Sequence, residues 1–346
     1  SITLPVEDQA LSLLVTEPDL IAGFETGVYR STDEGATWRP SHHGTAAVRG
    51  VGALHAGGGA LLVGLQTNGA LGKGIVRTND VGASWTVTGG LEINTTAQAF
   101  TEHAGALYAA LYGYQRGVVR STDGGLTWAD ASAGLSPASI FNAILSTGSA
   151  LLLGEWDGLF RSTNSGASWS QIAGVPGVAA LGSLDGAVYA GLLEGGVLRS
   201  TDGGANWAPW SAGLPAGHGI SALAAHDGEL FAAARFSGIY RLSGSTWSFA
   251  GLPGSYVNAL HSAGGVLVAA EFEQSIQISA NGSDWAPFIE GYPGEEVYEL
   301  ASDDAWLYAG TRGIGIWARP LNELPGGASV DWPPGAPVSA PSLAAI

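Results

Sequence analysis

The sequence predicts an all-β fold, an eight-bladed β-propeller of four-stranded antiparallel blades, and three observations carry that prediction. The first is an internal repeat. A phrase reading Ser-Thr-Asp-Glu-Gly-Ala-Thr-Trp spans Ser31–Trp38, and versions of it end at Trp85, Trp128, Trp169, Trp207, Trp247 and Trp285. Successive tryptophans stand 47, 43, 41, 38, 40 and 38 residues apart, close to the roughly 40–45 residues of one propeller blade. The second observation is a set of short β-rich runs separated by turn residues, with no stretch of sustained helical periodicity. The third is the 54 glycines, which would each weaken a helix interior.

Each unit reads in the same order. An apolar run comes first, as in Ser221–Ala225 or Asn258–His261, followed by a turn such as His226-Asp227-Gly228. A stronger apolar strand comes next: Leu61–Leu65, Leu107–Leu111, Val188–Leu192, Leu230–Ala234 and Leu307–Gly310. The third strand is a glycine, two β-formers or apolar residues and an arginine, ending at Arg30, Arg120, Arg161, Arg199 and Arg241. The Asp-Gly phrase makes the next turn, and its tryptophan opens the fourth strand. First strands start near Ala10, Val48, Thr96, Ser139, Gly177, Gly219, Tyr256 and Glu296, which gives eight blades. Seven is the alternative, if the first or last unit is not a full blade. The last unit lacks the turn phrase. Its fourth strand is expected from Ser329–Trp332 or from the N-terminal Ser1–Val6, because an open final blade would expose strand edges.

The repeated residues have a local physical role. An aspartate in a tight turn accepts backbone N–H groups that no strand ladder reaches. Glycine supplies a positive φ. Tryptophan covers apolar surface between blades and keeps one N–H for a partner. Asp33, Asp80, Asp123, Asn164 and Asp202, with Trp38, Trp85, Trp128, Trp169 and Trp207, are therefore read as structural. A group that recurs in every blade sits in every blade's turn and cannot converge on one site. The same holds for the arginines that repeat in register, Arg77 included.

The phrase resembles the Asp-box, or BNR, repeat, and the resemblance covers about residues 10–319. It places the chain beside the sialidase-like propellers. The wording of the repeat is most similar to proteins resembling the photosystem II stability and assembly factor and to the propellers of xyloglucan-active glycoside hydrolases. The resemblance implies a fold more than an activity, because one blade design carries enzymes, receptors and assembly factors. A sialidase would need an arginine cluster and a tyrosine nucleophile, for which Arg116, Arg235 and Arg312 with Tyr112 or Tyr114 are available. The Arg-Ile-Pro motif of that family is absent here, and it uses six blades. The xyloglucan-active enzymes use two facing propellers, and this chain has one.

Composition sets further bounds. The net charge is −17, from 13 basic and 30 acidic residues, which argues against nucleic acid and anionic membrane surfaces as partners. Lys73 is the one lysine in the chain. That sparsity suits a periplasmic, secreted or cell-surface protein, and the lack of methionine suits a mature chain whose signal peptide has been removed. With no cysteine, disulfides and thiolate metal sites are impossible. No apolar run has the length of a membrane span. One propeller is expected over residues 1–324. Residues 325–346, rich in Pro, Ala and Gly, read as a tail that supplies the last strand or a linker.

Function is expected where the repeat breaks. In a propeller the Asp-Gly turns lie on one face. The loops from second to third strand surround the channel mouth on the other. These loops vary: Glu25; Gln66 and Lys73; Tyr112, Tyr114 and Arg116; Glu155, Trp156 and Asp157; Glu194; Arg235 and Phe236; Glu271, Phe272 and Glu273; Arg312. Variable residues on a fixed scaffold are where binding resides. The binding candidates are Tyr112, Tyr114, Arg116, Trp156, Glu194, Arg235, Phe236, Phe272 and Arg312, a set suited to a protein segment or a glycan. A glycosidase needs two carboxyls about 5–5.5 Å or 6.5–9.5 Å apart, and Glu155, Asp157, Glu271 and Glu273 are the pool. No complete catalytic set emerges. The expected function is a non-catalytic, extracytoplasmic binding, scaffold or assembly module, with a glycoside hydrolase or sugar-binding propeller as the alternative. The seven histidines show no metal-ligand spacing and read as solvated loop residues. No cofactor is expected.

Overall fold

The structure is a computed structural model that describes residues 10–16, 19–24, 27–31, 39–40, 51–57, 60–65, 74–78, 86–91, 95–113, 117–136, 139–272, 275–288, 297–302, 306–311 and 316–320. Every regular element among them is a β-strand. The strands form eight antiparallel sheets, seven of four strands and one of three, each a meander in chain order. The first strands are Ala10–Thr16, Val51–Gly57, Thr95–His103, Phe141–Ser146, Val178–Leu184, Ile220–His226, Val257–Ala263 and Val297–Ser302. Each packs against the first strand of the next sheet, and the eighth packs against the first. The sheets are therefore blades of a closed propeller. The three described strands of the eighth blade are Val297–Ser302, Trp306–Thr311 and Ile316–Pro320. Both expected donors of its fourth strand, and the tail 325–346, lie outside the described residues.

The burial of each strand explains its sequence. Second strands are covered on both faces, so Leu151–Glu155 and Ala187–Leu192 are buried throughout. They read as continuous apolar runs rather than as alternating ones. The fourth strands of blades 3 and 4, Ala129–Asp130 and Ser170–Gln171, are short and exposed, whereas that of blade 6, Thr246–Gly251, is longer and partly buried. The core lies in the seams between blades. Tyr108, Ala110 and Val118 of blade 3 pack with Phe141, Leu151, Leu153 and Trp169 of blade 4. Leu152 and Leu159 of blade 4 pack with Val178, Val188 and Leu192 of blade 5.

The Asp-Gly turns are closed by their own side chains. Asp123 Oδ1 accepts the backbone N–H of Leu126 at 3.0 Å and of Thr127 at 2.9 Å, and Oδ2 accepts the Thr127 hydroxyl at 2.5 Å. Ser121 donates its hydroxyl to Asp123 at 2.7 Å and accepts the Gly125 N–H at 2.8 Å. Ser200, Asp202 and Asn206 repeat the arrangement in blade 5. Asn164 takes the aspartate's place in blade 4, accepting the Ser168 N–H and donating to its hydroxyl. The Thr127 hydroxyl and amide, then Ser121 and Leu126, hold the Asp123 carboxyl down at about 2. The backbone and side-chain amides of Asn206, with Ser200, hold the Asp202 carboxyl below its ordinary value.

Each turn also fastens its blade to the one before. The tryptophan N–H groups of the backbone reach back to the end of the preceding blade. Trp128 donates to Gly89, Trp169 to Ala133 and Trp247 to Ala212, at 3.0, 2.8 and 2.7 Å. The indoles follow: Trp169 Nε1 donates to Ala131, Trp247 Nε1 to Trp210 and Trp285 Nε1 to Ala250. The next residue of the preceding blade is glycine for steric reasons. A Cβ on Gly134, where φ is +92°, would stand 2.2 Å from the Trp169 carbonyl oxygen. Gly90 and Gly213 face the same clash. Arginines add links in the opposite direction. Arg77 Nε donates to the Gly124 carbonyl at 2.7 Å and Arg161 Nε to that of Gly203 at 2.9 Å. The seam between blades 4 and 5 differs: Trp207 Nε1 bonds to Gly204 in its own turn, and a Cβ on Gly174 would meet nothing within 4 Å.

The histidines of the first strands are not solvated loop residues. His103 and His226 are buried and pair with hydroxyls of the next blade's first strand, Ser146 at 2.9 Å and Ser262 at 2.8 Å. His55 stacks on Phe100. They belong to the strands rather than to the adjacent turns: His103 and His226 end theirs and face the seams, and His55 lies within Val51–Gly57. Burial holds the imidazoles of His55 and His261 below their ordinary 6.5.

Two outcomes are expected. Gly134→Ala should cost about 2–4 kcal/mol, since it adds a backbone clash to a left-handed φ, and Gly174→Ala should cost clearly less; thermal melts of the two variants check this. Acid should destabilise the protein in two steps. The histidine contribution is complete above their unfolded value of 6.5 and is lost as pH falls through their depressed folded values. The Asp123 contribution is complete above its unfolded 3.8 and is lost as pH falls through about 2, and its exposure keeps it small. A melting temperature that rises on acidification from pH 7 to pH 5 would contradict the burial of these histidines.

Candidate functional site

The loops from second to third strand share one face with the connections between blades, opposite the Asp-Gly turns. A repeated backbone bond fixes one residue of each described loop at the rim. Trp156 donates its N–H to Ile140, Leu193 to Gly177, Arg235 to Gly219 and Phe272 to Tyr256, at 3.0, 2.9, 2.8 and 2.7 Å. Register puts Tyr112 in the same place on blade 3, because Leu111 pairs with Ala97 as Glu155 pairs with Phe141. A bulge recurs at the mouth end of these first strands. It turns a polar side chain toward the next blade: Asn142 donates to the Val178 carbonyl at 2.9 Å and Ser221 to that of Val257 at 2.6 Å. Among the described blades the backbone of the rim is thus fixed at one residue per loop, and the residue type at that point differs from blade to blade.

Two groups of side chains form on this rim. On blades 6 and 7, Phe236 and Phe272 flank Tyr256, with ring centres 5.1 and 5.6 Å away, and the second pair is stacked. The Arg235 guanidinium lies 5.6 Å from the Tyr256 ring centre. Phe236 and Phe272 are 65% and 47% exposed. Phe236 holds a positive φ of 57°, which is rare for an aromatic residue. His218 Nδ1 meets the Arg235 carbonyl at 2.7 Å and pins the loop from behind. Glu271, beside them, accepts Gln277 at 2.9 Å and the Ser255 hydroxyl. On blades 4 and 5, Trp156 is 59% exposed at the tip of a two-residue turn, since Glu155 pairs with Gly158. Asp157 is exposed next to it, Glu194 is exposed on the loop of blade 5, and Glu155 is buried at 6% exposure.

Of the residues the sequence singled out, Tyr112, Glu155, Trp156, Asp157, Glu194, Arg235, Phe236, Glu271 and Phe272 are described, and all lie on the mouth face. Tyr114, Arg116, Glu273 and Arg312 lie outside the described residues, as do Asp33, Asp80, Trp38 and Trp85. Three of the four candidate carboxyls are described. Glu155 and Asp157 sit on blade 4 and Glu271 on blade 7, and Glu271 is engaged by its neighbours. Among the described residues no three His, Asp or Glu side chains meet at metal-binding distance. Sequence reasoning missed Tyr256, the centre of the aromatic group. Its signal was available: an aromatic directly before a first strand, where other units carry Gly219 or Gly177.

No protein-family model matches the chain, and no curated protein sequence does. Solved structures do match. The computationally designed Ika8 protein superposes with a TM-score of 0.72 at 11% identity, over 90% of this chain and 96% of that one. YCF48 bound to D1 peptide gives 0.55 at 13% identity, over 92% and 93%. The GH74 xyloglucanase from Xanthomonas campestris gives 0.58 at 17% identity, over 94% of this chain and 54% of the enzyme. These likenesses are of fold, the β-propeller. They join a protein solved with a peptide and a glycan-active enzyme, and do not separate the two.

Glu271 has two hydrogen-bonding neighbours to lose. Glu271→Ala should therefore lower stability by about 1–2 kcal/mol by stranding Ser255 and Gln277. A thermal melt equal to that of the unaltered protein would show that these bonds contribute nothing in solution.

Proposed function

We propose that this chain is a non-catalytic binding module working outside the cytoplasm. Residues 1–324 would form one propeller of Asp-box blades, with its mouth face presented to a protein partner. The observation that carries this reading is the placement of exposed aromatics. Among the described residues, Tyr112, Trp156, Phe236 and Phe272 are exposed on the mouth rim, and Phe249 alone is exposed elsewhere, on the outer strand of blade 6. Aromatic anchors ringed by polar groups are the usual energetic centres of protein interfaces. Among the described candidate carboxyls, Glu155 is buried and Glu271 is engaged by Ser255 and Gln277, which supports binding over hydrolysis. So does the peptide bound by YCF48, which shares the fold. The charge of −17 and the single lysine support a place outside the cytoplasm.

The second reading is a glycan ligand. Exposed Trp156 beside Glu155 and Asp157 suits a stacked sugar ring, and the xyloglucanase shares the fold.

Trp156→Ala and Phe236→Ala should each weaken partner capture by about 2 kcal/mol, since both remove exposed anchors. Their melting temperatures should stay within a degree or two of the parent, as surface changes usually do. Leu126→Ala, on the turn face, should leave capture unchanged. Affinity purification from the native source, run with the three variants in parallel, checks this. Loss of capture with Leu126→Ala alone would invert the assignment of faces. Binding to glucan oligosaccharides with no protein captured would favour the second reading.

A further inference from the structure

Blades 4 and 7 carry the same polar pair at the mouth, but in different states. The residue two before the start of the first strand is Ser255 in blade 7 and Ser139 in blade 4. The residue that ends the second strand is Glu271 in blade 7 and Glu155 in blade 4, paired with Val257 and Phe141 respectively. In blade 7 the serine hydroxyl donates to the glutamate, and Gln277 donates to the other oxygen. In blade 4 neither bond exists. Phe160 stands where blade 7 has Gln277, since each pairs with the residue two before the glutamate. The Ser139 hydroxyl is buried with no partner. Glu155 has 6% exposure, and no hydrogen bond or ion pair reaches it from the described residues. At the corresponding position blades 3, 5 and 6 carry Leu111, Leu192 and Ala234. The Glu155 carboxyl oxygens are not among the buried, unpartnered atoms, so they keep contact with solvent at the mouth while no donor among the described residues holds them.

The surroundings specify the missing partner. Trp156 follows Glu155 and presents its ring to solvent, Asp157 follows it as an exposed acid, and Glu194 is exposed on the corresponding loop of blade 5. No arginine or histidine of the described residues pairs with any of them; the ion pairs described are His226 with Asp227 and Arg241 with Glu229. A carboxyl without a counter-charge and an exposed indole together fit a cation. A neutral sugar would leave the local charge uncompensated. On these grounds, and resting on the reading of the mouth as a binding face, we propose that the mouth of blade 4 is a receptor for a basic side chain, an arginine or lysine on a partner peptide. Glu155 would pair with the charge, Trp156 would stack on it, and the Ser139 hydroxyl would complete the hydrogen bonding. The protein's acidic balance would draw such a segment to the site.

The test uses an N-acetylated, C-amidated peptide of alternating arginine and glycine, a matched peptide with glutamine for arginine, and calorimetry on the full chain. The arginine peptide should bind with an affinity that falls as salt rises, and the glutamine peptide should not bind. Glu155→Gln should weaken binding by roughly tenfold or more, with Trp156→Ala acting in the same direction. A separate readout needs no ligand. Because Glu155 has no donor to lose, Glu155→Gln should melt at the same temperature as the parent or higher. A lowered melting temperature with unchanged peptide affinity would make Glu155 a structural residue and overturn the proposal. Binding of a glucan oligosaccharide in place of the arginine peptide would overturn it too. If Trp156→Ala and Phe236→Ala still abolish partner capture while Glu155→Gln does nothing, this inference falls and the binding face stands.

Discussion

The seam between consecutive blades is the contact on which the rest of the structure depends. A four-stranded meander has two apolar faces and cannot cover either alone, so it is stable only between neighbours. The tryptophan that ends each Asp-Gly phrase makes that attachment. In Trp169 and Trp247 the backbone N–H and the indole both reach the preceding blade, Trp169 at Ala133 and Ala131 and Trp247 at Ala212 and Trp210. Gly134 is then required, because any side chain there would strike the Trp169 carbonyl. The aspartate has the smaller task of closing the turn that aims the tryptophan. The residues that repeat are thus occupied in holding blade to blade, which leaves them unavailable for chemistry.

On the opposite face that duty falls to the bulged first strands, where Asn142 and Ser221 reach the next blade, and the loop tips are left to vary. The bulged first strands and the recurring bond from the rim residue to the preceding connection fix the backbone of each mouth loop. The residue at the fixed point differs from blade to blade. It is Tyr112, Trp156, Leu193, Arg235 and Phe272 in successive blades. A backbone fixed at one residue per loop, with the choice of residue there left open, is a means of building a surface by substitution without altering the fold. The aromatic group around Tyr256 and the acidic edge around Trp156 are two different outcomes of that choice on one molecule.

Much of this was legible in the sequence, because it rests on local repetition. The period, the turn residues and the apolar second strands each follow from one blade's own needs, and they placed all eight first strands within a few residues. What was not legible depends on neighbours. The histidines looked like turn residues, but His103 and His226 end strands and close against Ser146 and Ser262 in the next blade. Trp207 carries the repeat's signature, yet its indole bonds within its own turn. Glu155 looked like an exposed loop acid; only the register with Phe141 shows that it occupies a position that is apolar in three other blades. Tyr256 lay outside the loops searched, and its importance comes from the two phenylalanines that flank it.

The central claim is a division of labour between faces, the turns for cohesion and the mouth for recognition. Hydrogen–deuterium exchange on the free protein and on the protein carrying its captured partner tests it most directly. The account predicts added protection confined to the mouth segments around 112, 155–158, 193–196, 235–238 and 271–272, with the turns at 121–128, 162–169 and 200–207 unchanged. Protection concentrated in those turns, with the mouth segments unaltered, would contradict it.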